Sequence, residues 1–238
     1  MKLEKYSKDC EYSYTLGAFP TYELIKNKSK QVEAVLIHSK ATHTADLEKL
    51  ISICKTNNIK VEQDDKTINK LSPKENCYVL GVFKKYSAKL KGNKQIVLHN
   101  PSDMGNLGTI MRTMLGFGYT DLVIIKPAVD YFNPKVVRAS MGAIFMLNVV
   151  EFEDVESYLK SNTYQKYFFM LNGKNVLGSF NTPKENYALV FGNEAHGLPN
   201  QLLTAGNSVV IKHSNKIDSL NLPISVGMAL YEFNRNNN

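Results

Sequence analysis

The chain has 238 residues, of which 43% are hydrophobic, and its formal charge is +7. This length is enough for one large domain or two smaller ones, and this hydrophobic fraction is typical of a globular protein. No apolar run is long enough to cross a bilayer, and the charged N-terminus lacks the apolar core of a signal peptide. We therefore expect a cytoplasmic protein without a membrane partner.

The cysteines and histidines give no sign of a disulfide framework or a metal site. Cys10, Cys54 and Cys77 have no Cys-x-x-Cys spacing, and the five histidines lack the spacing of metal ligands. No metal cofactor is expected.

Most of the positive charge lies in the N-terminal part of the chain. Residues 1–92 contain 17 lysines and 11 acidic residues, whereas residues 93–238 contain 12 basic and 11 acidic residues. A basic first part is typical of a module that attracts a polyphosphate, although surface lysines serve equally well for solubility.

Hydrophobic spacing in this first part predicts a small α/β domain. Helices are expected at residues 22–28, 45–55 and 67–71, and strands at residues 33–38, 59–62 and 78–83. A lysine-rich polar stretch then ends in Gly92-Asn93, where we place the domain boundary. The first domain with its linker is thus expected at residues 1–92.

The second part, residues 93–238, alternates apolar strands with helices. Strands are expected at residues 95–99, 122–125, 147–152, 167–171, 188–191 and 208–211, and helices at 107–115, from 133–134 onward, and at 224–233. Apolar strands separated by helices predict a mostly parallel sheet with helices on both faces. The final asparagines (Asn234, Asn236, Asn237 and Asn238) are expected to be disordered.

Three polar, glycine-containing loops follow strands of the predicted sheet, where open α/β sheets bind ligands. The first loop, residues 99–108, leads into a helix that contains Arg112. The second loop, residues 191–199, contains Glu194 and His196 between glycines. The third loop, residues 211–221, joins the last strand to the last helix.

Each loop taken alone also has a purely structural interpretation. The first is an ordinary strand-to-helix turn with a solvated arginine, and a lone glutamate in a loop such as Glu194 is commonly solvated. Ser219 and Asn221 are suitable caps for the last helix. His196 is a candidate base, although an orienting or capping role is commoner for a loop histidine.

Together the loops resemble the SpoU (TrmH-like) family of SPOUT RNA methyltransferases. The family motif Asn-x-Gly-x-x-x-Arg is matched by Asn106, Gly108 and Arg112. Phe-Gly-Asn-Glu-x-x-Gly-Leu is matched by residues 191–198, and Ser-Leu-Asn by residues 219–221. Residues 131–143 are also similar to the family, and the resemblance covers about residues 95–235.

The resemblance implies a fold with a deep trefoil knot and a homodimer whose active sites lie at the subunit interface. It implies S-adenosylmethionine as cofactor, held by groups at Gly192, Ile211, Leu220 and Asn221. The reaction implied is methyl transfer to a ribose 2′-hydroxyl of structured RNA. The basic N-terminal domain, which resembles a substrate-binding domain, favours ribosomal RNA over transfer RNA.

The catalytic positions implied by the resemblance are Arg112, Asn106, Glu194, Ser219 and Asn221. The arginine is the family's proposed general base, but a guanidinium normally stays protonated. We therefore expect Arg112 to orient the hydroxyl and stabilise the developing alkoxide. Asn106 and Asn221 would position the ribose and the loops, while Glu194 would fix either Arg112 or the loop geometry.

The third loop departs from the family pattern. Where the family has Ile-Pro-Met and then a glycine, this chain has Ile211, Lys212, His213 and Asn215. Either Lys212 and Lys216 contact RNA phosphate, or the choice of substrate has diverged.

Two other classes of protein compete with a methyltransferase. A non-catalytic RNA-binding relative would keep the basic domain and the scaffold. A nicotinamide-dependent oxidoreductase fits the strand–helix alternation, but no Gly-x-Gly-x-x-Gly follows a strand, and Lys126 stands where an acidic ribose-binding residue is needed.

Overall fold

The computed structural model describes residues 3–72 and 76–235, and the chain forms two compact units. The first unit consists of the residues up to Tyr86 together with Asp130–Met146. The second consists of Ser87–Val129 together with the residues from Leu147 onward. This division differs from a single boundary at residue 92, because Asp130–Met146 belongs to the first unit. Within the described ranges, none of the helices combines the length and apolar character that a membrane span needs.

The helices and strands alternate along most of the chain. Up to residue 86 they are β1 (Tyr12–Leu16), α1 (Ala18–Lys28), β2 (Val32–Ile37), α2 (Ala45–Thr56), β3 (Val61–Gln63), α3 (Asp65–Leu71) and β4 (Val79–Lys84). They continue with β5 (Lys94–His99), α4 (Met104–Gly116), β6 (Asp121–Ile125), α5 (Pro134–Ala139), β7 (Asn148–Phe152), α6 (Val155–Ser161), β8 (Gln165–Phe169), β9 (Asn175–Val176), β10 (Tyr187–Phe191), β11 (Asn207–Val210) and α7 (Leu222–Arg235). Short 3-10 turns complete the secondary structure.

The first unit contains a four-stranded sheet in the order β1-β4-β2-β3. Strands β1 and β2 are antiparallel to β4, and β3 is parallel to β2. The expected apolar spacing of α2 is confirmed, since Leu47, Leu50 and Cys54 are buried. Strand β1 was not predicted because its buried positions include Ser13 and Thr15.

The segment Asp130–Met146 packs on the sheet of the first unit. Phe132 and Phe145 contact Phe83 of β4, with ring centroids 6.0 and 5.3 Å apart. Helix α5 begins as the sequence predicts, because the Asn133 side chain accepts a hydrogen bond from the backbone of Lys135 and proline is the first helical residue.

The second unit contains a seven-stranded sheet in the order β7-β6-β5-β10-β8-β11-β9, and all its strand pairs are parallel. The predicted α/β class with a mostly parallel sheet is confirmed. Strands β6 and β10 are buried along their full length, which accounts for their continuous apolar runs. Strand β8 lies two residues earlier than expected, and Leu171 beyond its end is exposed.

The C-terminal helix α7 is longer than the expected 224–233. It includes Asn234, whose side-chain amide donates to the carbonyl of Phe117 at 2.9 Å. The expected disorder is therefore wrong for Asn234, while Asn236, Asn237 and Asn238 lie outside the described residues.

The second unit contains a buried carboxylate at the start of β6. Asp121 is fully buried and accepts hydrogen bonds from the backbone nitrogens of Lys91 and Gly92, at 2.7 and 2.8 Å, and from the Asn148 amide at 2.8 Å. Three donors from two distant parts of the chain thus share one side chain.

Replacing Asp121 with alanine removes the acceptor of all three partly buried hydrogen bonds, so Asp121→Ala should lower the free energy of unfolding by roughly 2 kcal/mol. Urea denaturation measures this change. The matched substitution Asp46→Ala, at an exposed position of α2, should leave the midpoint unchanged. Equal midpoints for the two variants would contradict the structural role of Asp121.

Candidate active site

The three loops lie together at one edge of the seven-stranded sheet. They follow β5, β10 and β11, and the carboxyl ends of parallel strands meet at the same edge. Between them lies a cavity of about 790 Å³ within the second unit. Most of the site residues expected from the sequence line this cavity: Asn106, Gly192, Glu194, Ile211, Ser219, Leu220 and Asn221. Arg112 does not line it.

Glu194 joins the second loop to the first. One carboxylate oxygen accepts from the backbone nitrogen and the hydroxyl of Ser102, at 3.1 and 2.8 Å. The other oxygen accepts from the backbone nitrogen of Asp103 at 3.2 Å and from the Asn106 amide at 3.3 Å. Glu194 therefore fixes the geometry of two loops, which was one of its two expected roles.

The same hydrogen bonds keep Glu194 ionised. Burial on its own raises the pKa of the Glu194 carboxyl, but the hydrogen bonds from Ser102 and Asn106 stabilise the charged form and outweigh burial. The pKa therefore lies below its usual value of 4.5. A carboxylate held in this way is an anchor near neutral pH rather than a proton donor.

Helix α4 begins three residues earlier than expected. Its cap is Asp103, whose side chain accepts from the backbone nitrogen of Asn106 at 2.7 Å. Asn106 therefore lies in the first turn of the helix, with its side chain held against Glu194. The expected buried face of α4 is confirmed by the full burial of Leu107, Ile110 and Met114.

The second loop needs glycine at one position. A Cβ atom on Gly192 would lie 2.1 Å from the carbonyl carbon of Gly197 and 2.3 Å from the backbone nitrogen of Leu198. Because backbone atoms of the same loop occupy that space, no larger residue fits there without moving the loop.

Asn193 is a site residue that the sequence analysis missed. Its side-chain amide donates to the carbonyl of Asn100 at 2.7 Å, and its side-chain oxygen accepts from the backbone nitrogens of Ala195 and His196 at 2.9 and 3.2 Å. An asparagine directly after a buried strand and before a glycine-bounded turn is a recognisable signal for such a turn. Asn193 ties the second loop to itself and to the first loop.

The third loop has free polar side chains. Within the described residues, neither the Ser219 hydroxyl nor the Asn221 amide makes a hydrogen bond, so neither side chain caps α7. The ring of His213, which also lines the cavity, is held by its Nδ1 atom 2.9 Å from the carbonyl oxygen of Ile211. Lys212 and Lys216 are exposed.

Arg112 is exposed on the surface of α4, six residues after Asn106. In the part of the chain that the structure describes, its guanidinium makes no hydrogen bond or ion pair, so the alternative role of Glu194 in fixing Arg112 within one chain is not observed. His196 is exposed at the rim of the cavity. No group of three His, Cys, Asp or Glu side chains among residues 3–72 and 76–235 is placed to hold a metal ion.

The anchoring role of Glu194 has a measurable pH dependence. A carboxyl whose pKa is lowered by folding adds stability above its unfolded pKa, and this stability is lost as the pH falls through the folded value. Glu194→Gln should therefore be less stable than the unaltered chain near neutral pH, by roughly 1 kcal/mol. The difference should shrink below pH 4.5, the usual carboxyl value.

Urea denaturation at several pH values tests this expectation. The matched control is Glu11→Gln, at an exposed position of the first unit. A stability difference for Glu194→Gln that stays constant as the pH falls would show that the charge of this carboxylate does not matter.

Known proteins are similar to this chain in sequence. The chain is 29% identical over 152 residues to an uncharacterised tRNA/rRNA methyltransferase of Synechocystis, a match to 59% of this chain and 52% of the relative. It therefore spans about half the length of that relative. It is also 29% identical over 143 residues to a Listeria innocua protein named "Putative tRNA (cytidine(34)-2′-O)-methyltransferase", with 58% of this chain and 84% of the relative covered.

A solved structure extends the likeness to the first unit. The AdoMet-bound rRNA methyltransferase of Sinorhizobium meliloti superposes with a TM-score of 0.81 at 23% identity, covering 94% of this chain and 87% of that one. This likeness establishes the fold. The model of the SpoU rRNA Methylase family matches residues 93–231, which is more than half of the chain and includes all three loops. The chain belongs to the SpoU rRNA Methylase family.

Proposed function

We propose that the chain transfers a methyl group from S-adenosylmethionine to a ribose 2′-hydroxyl of structured RNA. The observation that carries this function is the meeting of the three family loops around one cavity, with Glu194 linking two of them. The cytoplasmic location expected from the sequence is part of the same proposal.

The cavity suits the proposed cofactor in size and chemistry. Its volume of about 790 Å³ lies within the range of small-molecule sites. Gly192, Ile211, Leu220 and Asn221 would hold the cofactor, through backbone groups and the free Asn221 amide. When bound, S-adenosylmethionine supplies an electrophilic methyl group. In the mechanism we infer, Asn106 and Ser219 orient the ribose beside it.

Arg112 would assist the reaction electrostatically. A 2′-hydroxyl is a weak nucleophile until its proton passes to an acceptor, here solvent water at the open cavity, so a positive group that stabilises the developing alkoxide lowers the barrier. The planar guanidinium can bind the hydroxyl oxygen and an adjacent phosphate together. That Arg112 is exposed and pairs with nothing among the described residues is consistent with a role toward a ligand.

Because Arg112 does not line the cavity of its own chain, we propose that a partner subunit supplies it. Helix α7 packs against α4 and presents an apolar stripe to solvent. Ile224, Met228 and Tyr231 are spaced along one face, with exposed fractions of 57%, 42% and 61%. Exposed apolar patches of this kind mark association surfaces, so a homodimer through α7 is the expected assembly.

The finer features of the fold belong to this proposal. We infer that the chain between β10 and α7 forms the trefoil knot of the SPOUT class. We also infer that the lysine-rich first unit, which accounts for most of residues 1–92, binds the RNA substrate. The exposed Lys212 and Lys216 would add phosphate contacts beside the cavity.

Ribosomal RNA is the substrate that we favour. The family is one of rRNA methylases, and the rRNA methyltransferase of Sinorhizobium meliloti shares the fold of both units. Transfer RNA is the alternative. The Listeria relative supports it, since most of that relative aligns with this chain, although the match covers only 58% of this chain.

Mass-spectrometric mapping of ribose methylation in cellular RNA, with and without the gene, distinguishes ribosomal RNA from transfer RNA as the substrate. An unchanged methylation map, with no binding of S-adenosylmethionine, would instead favour the non-catalytic RNA-binding relative.

The glycine at position 192 provides a test of the cofactor site. Because a side chain there meets loop backbone, Gly192→Ala should weaken S-adenosylmethionine binding by at least about tenfold in isothermal titration calorimetry. The control is Gly116→Ala at the end of α4, where a Cβ atom would meet nothing within 4 Å. Equal affinities in the two variants would place the cofactor elsewhere.

Arg112→Lys keeps the charge but loses the planar fork, so the rate of methyl transfer should fall by at least about a hundredfold. Near-normal turnover would remove Arg112 from the mechanism.

A shared site also predicts complementation between two inactive variants. When Arg112→Ala and Asn221→Ala chains are mixed and reassembled, half of the dimers are mixed and each contains one intact site. About a quarter of the unaltered activity should return. A mixture that stays inactive would show that each chain uses its own arginine.

A further inference from the structure

A second cavity adjoins the proposed cofactor cavity on the other side of the second loop. Its volume is about 620 Å³, and it lies within the second unit. Both cavities are lined by Asn193, His196, Gly197 and Leu198, so one short loop separates them. A ligand that reaches around this loop can therefore occupy both.

The walls of the second cavity are mostly apolar. They include Pro101, Pro127, Val129, Leu198 and Pro199. Such a lining, with a few polar groups, is typical of a small-molecule site.

Hydrogen bonds within the second unit fix these walls. Asn100, whose φ is 53°, donates from its backbone nitrogen to Ile125 at 2.9 Å and from its side-chain amide to Pro127 at 3.2 Å. The backbone nitrogen of Val129 donates to the carbonyl of Pro101 at 3.0 Å. The cavity is thus built by the ends of β5 and β6 rather than by mobile side chains.

The imidazole of His99 lines this cavity. Its Nδ1 atom is buried, and among the described residues it has no hydrogen-bond partner. An unsatisfied buried nitrogen costs stability and calls for an explanation. Burial lowers the pKa of the His99 imidazole, with Glu156 acting in the opposite direction, so the ring is neutral near neutral pH and has one donor and one acceptor.

The chemistry of the proposed reaction requires a base site close to the ribose. The reacting hydroxyl is on C2′ of the ribose, and the nucleobase is attached to the adjacent carbon, C1′. A ribose held beside Asn106 and Glu194 must therefore have its base close by. Ser102, which donates to Glu194, also lines the second cavity and so connects the two places.

We propose that the second cavity binds the nucleobase of the nucleotide that is methylated, unstacked from its RNA. The base packs against the proline and valine walls, and the rings of His99 and His196 contact its face or edge. Recognition of this kind is how proteins read single-stranded RNA, where bases are splayed out onto rings and hydrogen-bonded at their edges. This inference rests on the proposed function and adds the part of the substrate that the loop motifs leave unassigned.

A tryptophan that fills the cavity tests this proposal. Ala128 lines the second cavity but not the first, so Ala128→Trp should block the base without touching the cofactor site. The matched control is Ala205→Trp, at an exposed position that lines neither cavity. The assay uses labelled S-adenosylmethionine and total RNA from cells that lack the gene, and calorimetry measures cofactor affinity separately.

With Ala128→Trp, the initial rate of RNA labelling should fall at least about tenfold, while the affinity for S-adenosylmethionine stays within about twofold. Ala205→Trp should match the unaltered chain in both measurements. Normal cofactor affinity also shows that the variant is folded.

His99→Phe gives a second, independent measurement. Removing the unsatisfied nitrogen should raise the Tm of the free protein, while the loss of a contact to the base should raise the KM for RNA about fivefold. If His99 has only a structural role, His99→Phe should change the Tm and leave the KM for RNA unchanged. His43→Phe, at an exposed position of the first unit, should move neither.

The outcomes separate this inference from the function on which it rests. If the unaltered chain binds no S-adenosylmethionine and labels no RNA, the methyltransferase proposal fails and the base site fails with it. If the unaltered chain labels RNA and Ala128→Trp labels it equally fast, with an unchanged KM in His99→Phe, only the base site is overturned.

Discussion

The site depends on one carboxylate at the start of one helix. Glu194 accepts from two backbone nitrogens, a hydroxyl and an amide in the first loop and the first turn of α4. The positive end of a helix dipole favours a negative charge at this place, which adds to the hydrogen bonds. Without this anchor, the loops after β5 and β10 would be joined mainly through Asn193, and the position of Asn106 relative to the second loop would not be set.

The parallel sheet makes such an anchor possible because it brings the ends of distant strands to one edge. Strands β5 and β10 are neighbours in the sheet, although some ninety residues separate them in the sequence. The first two loops are therefore held by hydrogen bonds and by the close packing at Gly192. The third loop is different, since Ser219 and Asn221 have free side chains and its lysines are exposed. The first two loops thus form a fixed side of the cavity, and the third loop opposite them keeps polar side chains available for contacts with a ligand.

Much of the fold could be predicted from the sequence, for a physical reason. Strands buried on both faces, such as β6 and β10, are continuous apolar runs, and the start of α5 has an unambiguous cap in Asn133. The missed elements are those whose stability comes from distant partners. Strand β1 buries Ser13 and Thr15, whose hydroxyls bond to the backbone of the distant residues Phe132 and Gly81 rather than forming any local pattern. The two-residue strand β9 is too short to show a period.

The same distinction, between local sequence patterns and contacts with distant residues, applies to the site. Seven of the site residues that the family resemblance implies line one cavity, but the role of Asn193 depends on its bond to Asn100, ninety-three residues away. Arg112 is the site residue expected from the resemblance that does not line this cavity. Helix α4 packs against α7, and among the described residues the guanidinium on α4 has no partner. The apolar stripe of α7 faces solvent, and the cavity lacks a cation of this kind, so these features are complementary. Covering the stripe with the same stripe of a second copy would remove apolar surface from water, and across the two-fold axis it could bring each arginine to the other subunit's cavity. One association would then account for both the exposed stripe and the unpaired arginine, which a monomer leaves unexplained.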